Sequence, residues 1–282
     1  MIDDSATACP APSGGEPPPA TERRNVLRVR GDDITPAEDV LADEVPVALV
    51  YNGISHAVMM ATPCDLEDFA LGFSLTEDLI DHAGECYGIE IEAGPAGVAV
   101  HLDIASRAFA ALKERRRSLA GRTGCGLCGV DSLDQVYRTL PQPAGTAILA
   151  GHAVRAALAA LPERQALNQL TGATHAAAWC DLAGGLAVVR EDVGRHNALD
   201  KVVGALARDR ALRTGDGFVL VTSRVSVEMV QKAAMAGAAG IVGVSAPTAA
   251  AVRMAAGAGL VLLAFARGEK FVCYTGREKL SP

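Results

Sequence analysis

From residue 24 onward the apolar positions follow periods that predict one element after another. Asn25-Val26-Leu27-Arg28-Val29-Arg30 alternates as a half-buried strand does. Residues 47–51 and 54–61 read as a hairpin. Asn52-Gly53 between them supplies the φ > 0 residues of a tight I′ turn, and Pro46 stands at the strand start, where a missing N–H is tolerated. Thr62-Pro63 opens a predicted helix with Asp65, Glu67 and Asp68 in its first turn and Leu66, Phe69, Ala70 and Phe73 behind. A second hairpin over 87–92 and 97–103 follows, then a helix over 106–119 that ends in the basic run Lys113-Glu114-Arg115-Arg116-Arg117.

The second half changes rhythm. A helix is predicted over 152–170, a strand pair over 174–180 and 186–190 across Gly184-Gly185, and a helix over 195–208. Strands at 218–222, 241–245 and 260–265 then alternate with helices at 226–238 and 247–257, and a last strand covers 271–274. Continuous apolar strands between amphipathic helices predict an α/β fold whose C-terminal half holds a mostly parallel sheet covered on both faces, behind N-terminal β-hairpins. Residues 1–23 are Pro- and Gly-rich and have no period, so a disordered tail is expected there. The rest reads as a single domain, 24–282, with a β-rich part over 24–120 and an α/β part over 121–282. No internal repeat is found.

Composition narrows the functional classes. The chain has 282 residues, of which 50% are hydrophobic and only 4% aromatic, so the core must be built from small aliphatic side chains. A net charge of −7 argues against general nucleic-acid binding, which needs a basic surface. Seven cysteines spread over a chain of this size make a poor disulfide framework. The acidic start Met1-Ile2-Asp3-Asp4 is unlike a secretory signal, and the Ala/Gly-rich stretch over 233–266 is too weakly hydrophobic for a membrane span; a cytoplasmic protein is expected.

The densest chemistry lies in Gly121-Arg122-Thr123-Gly124-Cys125-Gly126-Leu127-Cys128-Gly129. Four glycines around two thiols make an approachable backbone, and Arg122 with the basic run before it favours a thiolate. A structural zinc site would need a second ligand pair, which is missing. A thioredoxin-like redox pair or a nucleophilic, sulfur-bearing cysteine is compatible with the residues. Zinc-deaminase chemistry would need His-x-Glu or Cys-x-Glu, and neither occurs: the residues two after each histidine are Val58, Gly84, Asp103, Val154, Ala177 and Ala198.

In such a sheet ligands gather beyond the strand C-termini, where helix N-termini expose free N–H groups. Three such ends carry polar residues: Thr222-Ser223-Arg224, then Ser245 ahead of Pro247-Thr248, and Phe265-Ala266-Arg267-Gly268-Glu269-Lys270. Together they suit a phosphate-bearing or nucleotide ligand, with Phe265 available for stacking. The run Arg190-Glu191-Asp192-Val193-Gly194-Arg195-His196-Asn197 could orient a ligand, perform proton transfer or brace a junction, and the residues alone leave these open. His175, on a predicted strand, reads as a core histidine.

In combination, Gly31-Asp32-Asp33-Ile34-Thr35, residues 65–76, the loop Gly124-Cys125-Gly126-Leu127-Cys128-Gly129, the run 190–201, Thr222-Ser223-Arg224 and 265–270 resemble the FdhD family of formate dehydrogenase accessory sulfurtransferases, over nearly the whole chain after the tail. The resemblance implies a cytidine-deaminase-like three-layer fold and a homodimer. It implies that persulfide sulfur passes from a cysteine desulfurase to the molybdenum cofactor in its bis(molybdopterin guanine dinucleotide) form, for insertion into formate dehydrogenase. On that resemblance Cys125 carries the persulfide and 265–270 contact the guanine-containing pterin; Cys128 is the second catalytic candidate, as a relay of the persulfide or as the thiol that attacks it and releases sulfide. Neither nucleic acid nor membrane is expected as a partner, and no resident metal is expected. Two alternatives fit the same residues, a non-catalytic cofactor-binding chaperone and a CxxC thiol–disulfide oxidoreductase.

Overall fold

In a computed structural model the residues described are 16–119, 140–143, 147–209 and 216–281. Strands β1 (Thr21–Arg30) and β2 (Asp33–Ala42) pair antiparallel along their whole length, from Thr21↔Ala42 to Arg30↔Asp33, around Gly31 at φ 61°. Regular structure thus begins three residues inside the stretch expected to be a tail. The second strand of this ribbon had no readable alternation, because neither of its faces is buried and Pro36, Glu38 and Asp39 interrupt the apolar positions.

The first globular layer is a four-stranded sheet in the order β4-β3-β6-β5, made of β3 (Val45–Tyr51), β4 (Ile54–Ala61), β5 (Cys86–Gly94) and β6 (Gly97–Ile104). Both expected hairpins are present, and β3 and β6 also pair in parallel. Asn52 and Gly53 take φ values of 45° and 80°, as the turn between β3 and β4 requires. Helices α1 (Leu66–Thr76) and α2 (Ser106–Leu119) follow β4 and β6. Their apolar faces close a core with Val47, Leu49, Tyr51, Phe69, Val100 and Leu102, all fully or almost fully buried.

The predicted helix over 152–170 is broken. Helix α3 (Gly151–Ala160) gives way to a 3₁₀ turn at Leu161–Arg164 and then α4 (Ala166–Thr171), because Pro162 brings no N–H to continue the ladder. Ahead of α3, β7 (Leu149–Ala150) pairs in parallel with the last strand of the chain, Leu280–Ser281.

The second sheet has six strands. In chain order these are β8 (His175–Asp181), β9 (Leu186–Asp192), β10 (Gly217–Val221), β11 (Gly240–Gly243), β12 (Val261–Arg267) and β13 (Lys270–Thr275). Their spatial order is β13-β12-β11-β10-β8-β9. The expectation of a mostly parallel sheet is corrected here. Only β10–β11 and β11–β12 are parallel, while β12–β13, β10–β8 and β8–β9 are antiparallel. Parallel pairing needs a crossover long enough for a helix, and the β8–β9 and β12–β13 connections are too short to hold one.

Helices α5 (Arg195–Arg208), α6 (Val227–Met235) and α7 (Ala249–Gly257) cover one face, and α3 lies among the buried residues of the other. β8 runs against both of its neighbours, so β9 points the same way as β10, β11 and β12. Four strand C-termini and the starts of α5, α6 and α7 therefore share one edge of the sheet. Among the described residues no helix is long and apolar enough to cross a membrane.

The two sheets meet through α1 and α5, which cross at two glycines. A Cβ on Gly72 would lie 1.7 Å from the Asp200 carbonyl oxygen, and one on Gly204 1.8 Å from that of Asp68. Glycine within a helix ordinarily costs about 1 kcal/mol relative to alanine, so here backbone proximity overrides propensity. Gly204→Ala should lower the denaturant midpoint, through a stability loss of about 1–3 kcal/mol on the scale of overpacked cores. Gly257→Ala, whose Cβ would meet nothing within 4 Å, should leave it unchanged or raise it. Equal midpoints for the two variants would refute the close-crossing account.

Candidate functional site

The junction between β9 and α5 is fixed by a buried ion pair. Lys201 Nζ lies 2.7 Å from Asp192 Oδ2, and both side chains are wholly shielded from solvent. Burial works against the Lys201 charge, but neighbouring Cys64 and Asp192 hold its ammonium above the ordinary lysine range. The ammonium also donates to the Thr62 carbonyl at 3.0 Å. Asp192 accepts from Thr62 N at 3.1 Å, Gly194 N at 2.7 Å and Asn197 Nδ2 at 3.0 Å. Asn197 donates in addition to Met60 O, and Val193 N to Thr62 Oγ1. Glu191 accepts from Leu167 N, Asn168 N and Thr174 Oγ1, each at 2.8 Å. The acid pair that the sequence left between two roles is thus consumed in bracing, and it ties the end of β4 to the second sheet.

Along the shared edge, the three segments read from the sequence come together. Phe265 N donates to Ser245 O at 3.1 Å, Val225 N to Ala246 O at 3.1 Å, and Thr248 N to Val225 O at 3.0 Å. The register of β12 against β13 shifts between Ala264 and Arg267, and within that bulge Phe265 takes φ 50° and is 48% exposed. A bulky residue in the left-handed region is uncommon. Here it turns a ring outward at the end of an otherwise buried strand. Arg267 Nε donates to Val244 O at 3.3 Å, Glu269 pairs with Arg155 at 3.1 Å, and Gly268, at φ 53°, makes the turn into β13, which Lys270 begins.

The candidates are not equally available. Phe265, Arg267 and Lys270 are exposed, as is Arg224, whereas Ala266 is fully buried. The Thr222 hydroxyl accepts from Ala176 N at 2.9 Å, and buried Ser223 donates to the Arg224 carbonyl at 3.0 Å, so both are spent on the strand end. Cys125 and Cys128 lie outside the described residues.

Arg195 and His196, which the sequence left between a ligand role and a bracing one, join the same edge. Because β9 runs with β10–β12, Gly194, Arg195 and His196 open α5 on the same edge, beside His175 at the start of β8. Burial first, then the Arg195 and Lys232 charges, push His196 down to about 4; burial and Arg195 also lower His175. The sequence held one usable sign, the Gly184-Gly185 reversal, which sets the direction of β9.

A model of the FdhD/NarQ family matches residues 42–281. The sulfur carrier protein FdhD of Cupriavidus necator is 54% identical over 272 residues, covering 96% of this chain and 94% of its own. Its namesake in Bordetella petrii is 52% identical, with 90% and 92% covered. A proposed formate dehydrogenase accessory protein from Desulfotalea psychrophila has a crystal structure that superposes with a TM-score of 0.74 at 22% identity, covering 93% of this chain and all of that one, which establishes a shared fold.

Removing one partner of a buried ion pair strands the other, so Lys201→Met should cost about 3–5 kcal/mol in a denaturant titration. Lys201→Arg should recover part of that loss. A second expectation concerns pH. With His196 pushed down from the ordinary 6.5 to about 4 in the fold, between those values the unfolded chain binds the proton first. The contribution to stability is complete above pH 6.5 and is lost as pH falls toward 4. His196→Gln should flatten the acid limb of the stability–pH curve over that window, and an unchanged slope would contradict a half-buried ring held neutral by its surroundings.

Proposed function

The chain belongs to the FdhD/NarQ family, and from that premise we propose that it is a sulfur carrier for formate dehydrogenase maturation. The relatives' name, sulfur carrier protein FdhD, supports the carrier role at about half identity over nearly their full lengths. The name of the structural neighbour supports the link to formate dehydrogenase. The observation that carries the reading is the outward ring of Phe265 on an edge where three helices begin.

In this reading the Cys125 thiolate attacks the outer sulfur of a persulfide held by a cysteine desulfurase. The donor S–S bond breaks, the desulfurase leaves as a thiolate, and the sulfur remains on Cys125 as a persulfide. The acceptor is the molybdenum cofactor, bis(molybdopterin guanine dinucleotide), bound as substrate. Its guanine stacks on Phe265, and its phosphates meet the cationic and N–H-rich parts of the edge. Cys128 serves as a relay, or attacks the Cys125 persulfide to release hydrosulfide and leave a disulfide. The fold type is the cytidine-deaminase-like one, with helices on both faces of the second sheet as its support. A cytoplasmic homodimer completes the reading. The β1–β2 ribbon supports it, because Leu27, Val29 and Ile34 are 65, 62 and 62% exposed on one face, and a lone two-stranded ribbon is marginal in water.

Incubation with a desulfurase and cysteine should add one sulfur atom to the peptide containing Cys125, read by mass spectrometry. Cys125→Ser should abolish that gain and the maturation of formate dehydrogenase. Retained loading would move the carrier elsewhere, and retained maturation would favour the chaperone alternative. Phe265→Ala should weaken guanine-nucleotide binding about tenfold, since stacking contributes about 1–3 kcal/mol per base.

A further inference from the structure

We propose that the outer face of the first sheet, across β4, β3, β6 and β5, is the surface on which cofactor-free formate dehydrogenase docks, its aliphatic half and its acidic half both engaged. This rests on the maturation reading above and adds to it the place where the client protein sits.

Alternation sorts the four strands into two faces. Val47, Leu49, Ile91, Val98, Val100 and Leu102 are buried in the core that α1 and α2 close. The residues between them face the other way. Ala48 and Val50 of β3, with Val58 and Met60 of β4, make an aliphatic half. Glu90 and Glu92 of β5, with Asp103 of β6, make an acidic one. Val58 and Met60 are 62 and 47% exposed, and Ala48 and Val50 remain half-buried although β3 has a strand on each side. A contiguous aliphatic patch left open in this way marks a surface that another body covers.

The fixed charge here has one sign. Residues 45–61 and 86–104, which hold the four strands and their turns, contain neither Lys nor Arg. The carboxylates are exposed, and the basic group beside them is His101, with Nε2 3.1 Å from Glu92 Oε2. The cations of the adjoining junction are placed elsewhere. Lys201 is buried against Asp192, and Arg195 and His196 open α5, where Arg195 Nε and His196 Nε2 are buried without a hydrogen-bond partner among the described residues. A second copy docked by the same face would therefore bring carboxylates to strands with no Lys or Arg to meet them. The chemistry fits a protein surface with an aliphatic centre and Lys or Arg along one margin.

Size and position narrow the partner further. Four strands spaced about 4.8 Å apart, each with about seven residues rising about 3.3 Å, offer about 440 Å². Covering it on both sides buries about 900 Å², the scale of transient encounters and below the roughly 1,200–2,000 Å² of stable pairs. Met60 O accepts from Asn197 Nδ2 at 2.9 Å, so one end of the face is tied to the first turn of α5, which opens on the edge assigned to the cofactor. A protein lying on Val58 and Met60 reaches that edge with neither sheet rearranged, as the recipient of the cofactor must.

Biolayer interferometry of the full chain on immobilised cofactor-free formate dehydrogenase, at low and high salt, tests this. Wild-type protein should bind, and more weakly as salt rises. Val58→Lys should weaken binding about tenfold. Glu90→Lys combined with Glu92→Lys should weaken it similarly and remove most of the salt dependence. Both variants should keep the wild-type melting temperature, gel-filtration mass and sulfur loading from a desulfurase. Unchanged affinity in both would overturn the proposal. A changed gel-filtration mass would give the face to contacts between copies, and lost sulfur loading would give it to the desulfurase; either overturns the proposal as well. No wild-type binding, with loading and maturation intact, would remove the docking face and leave the carrier reading standing. Failure of loading and maturation in the wild type would remove the carrier reading, and the docking face with it.

Discussion

The contact between Asp192 and Lys201 is the one on which the rest of the architecture leans. Two opposite charges at full burial are tolerable only when every remaining lone pair and proton finds a partner. Here the partners come from Thr62 beyond β4, from Gly194 and Asn197 at the start of α5, and from the backbone of β9. The pair thereby fixes three things together: how the first sheet abuts the second, where β9 stops, and where α5 begins. The close crossing of α1 on α5 then follows, because two helices anchored to the same junction can approach until only glycine fits between them.

Much of this was legible in the residues. The turn at Asn52-Gly53, both hairpins of the first sheet, the helix over 195–208 and the alternating elements after residue 217 all follow from local pattern and turn chemistry. Three features did not. The second strand of the β1–β2 ribbon has no buried face to impose alternation. The break near Pro162 was masked by apolar residues that keep a helical period on both sides of it. The sheet was expected to be mostly parallel because apolar strands look alike in either direction. Only the lengths of the connections distinguish them.

For the site, residue types gave the segments, while topology gave their division of labour. Thr222 and Ser223 have the side chains of ligand-binding residues, yet the strand end uses both hydroxyls. Glu191 and Asp192 have those of catalytic acids, yet each is filled with backbone and side-chain donors. Arg195 and His196, adjacent in sequence to that brace, face the opposite situation. No local rule separates these neighbours, because the difference arises from the reversal of β8 and β9, which places one residue inside the junction and the next on its rim.

Phe265 has one more consequence. An L-residue with a side chain spends about 1–2 kcal/mol to sit in the left-handed region that glycine occupies freely. A polypeptide shaped only for thermal endurance would place glycine at that bulge, as this chain does three residues later at Gly268. Keeping an aromatic ring there gives up native-state durability at a single position in exchange for a flat surface turned to solvent. The deficit is borne by the buried strands β10 to β12 behind it, whose packing is ample enough to absorb it.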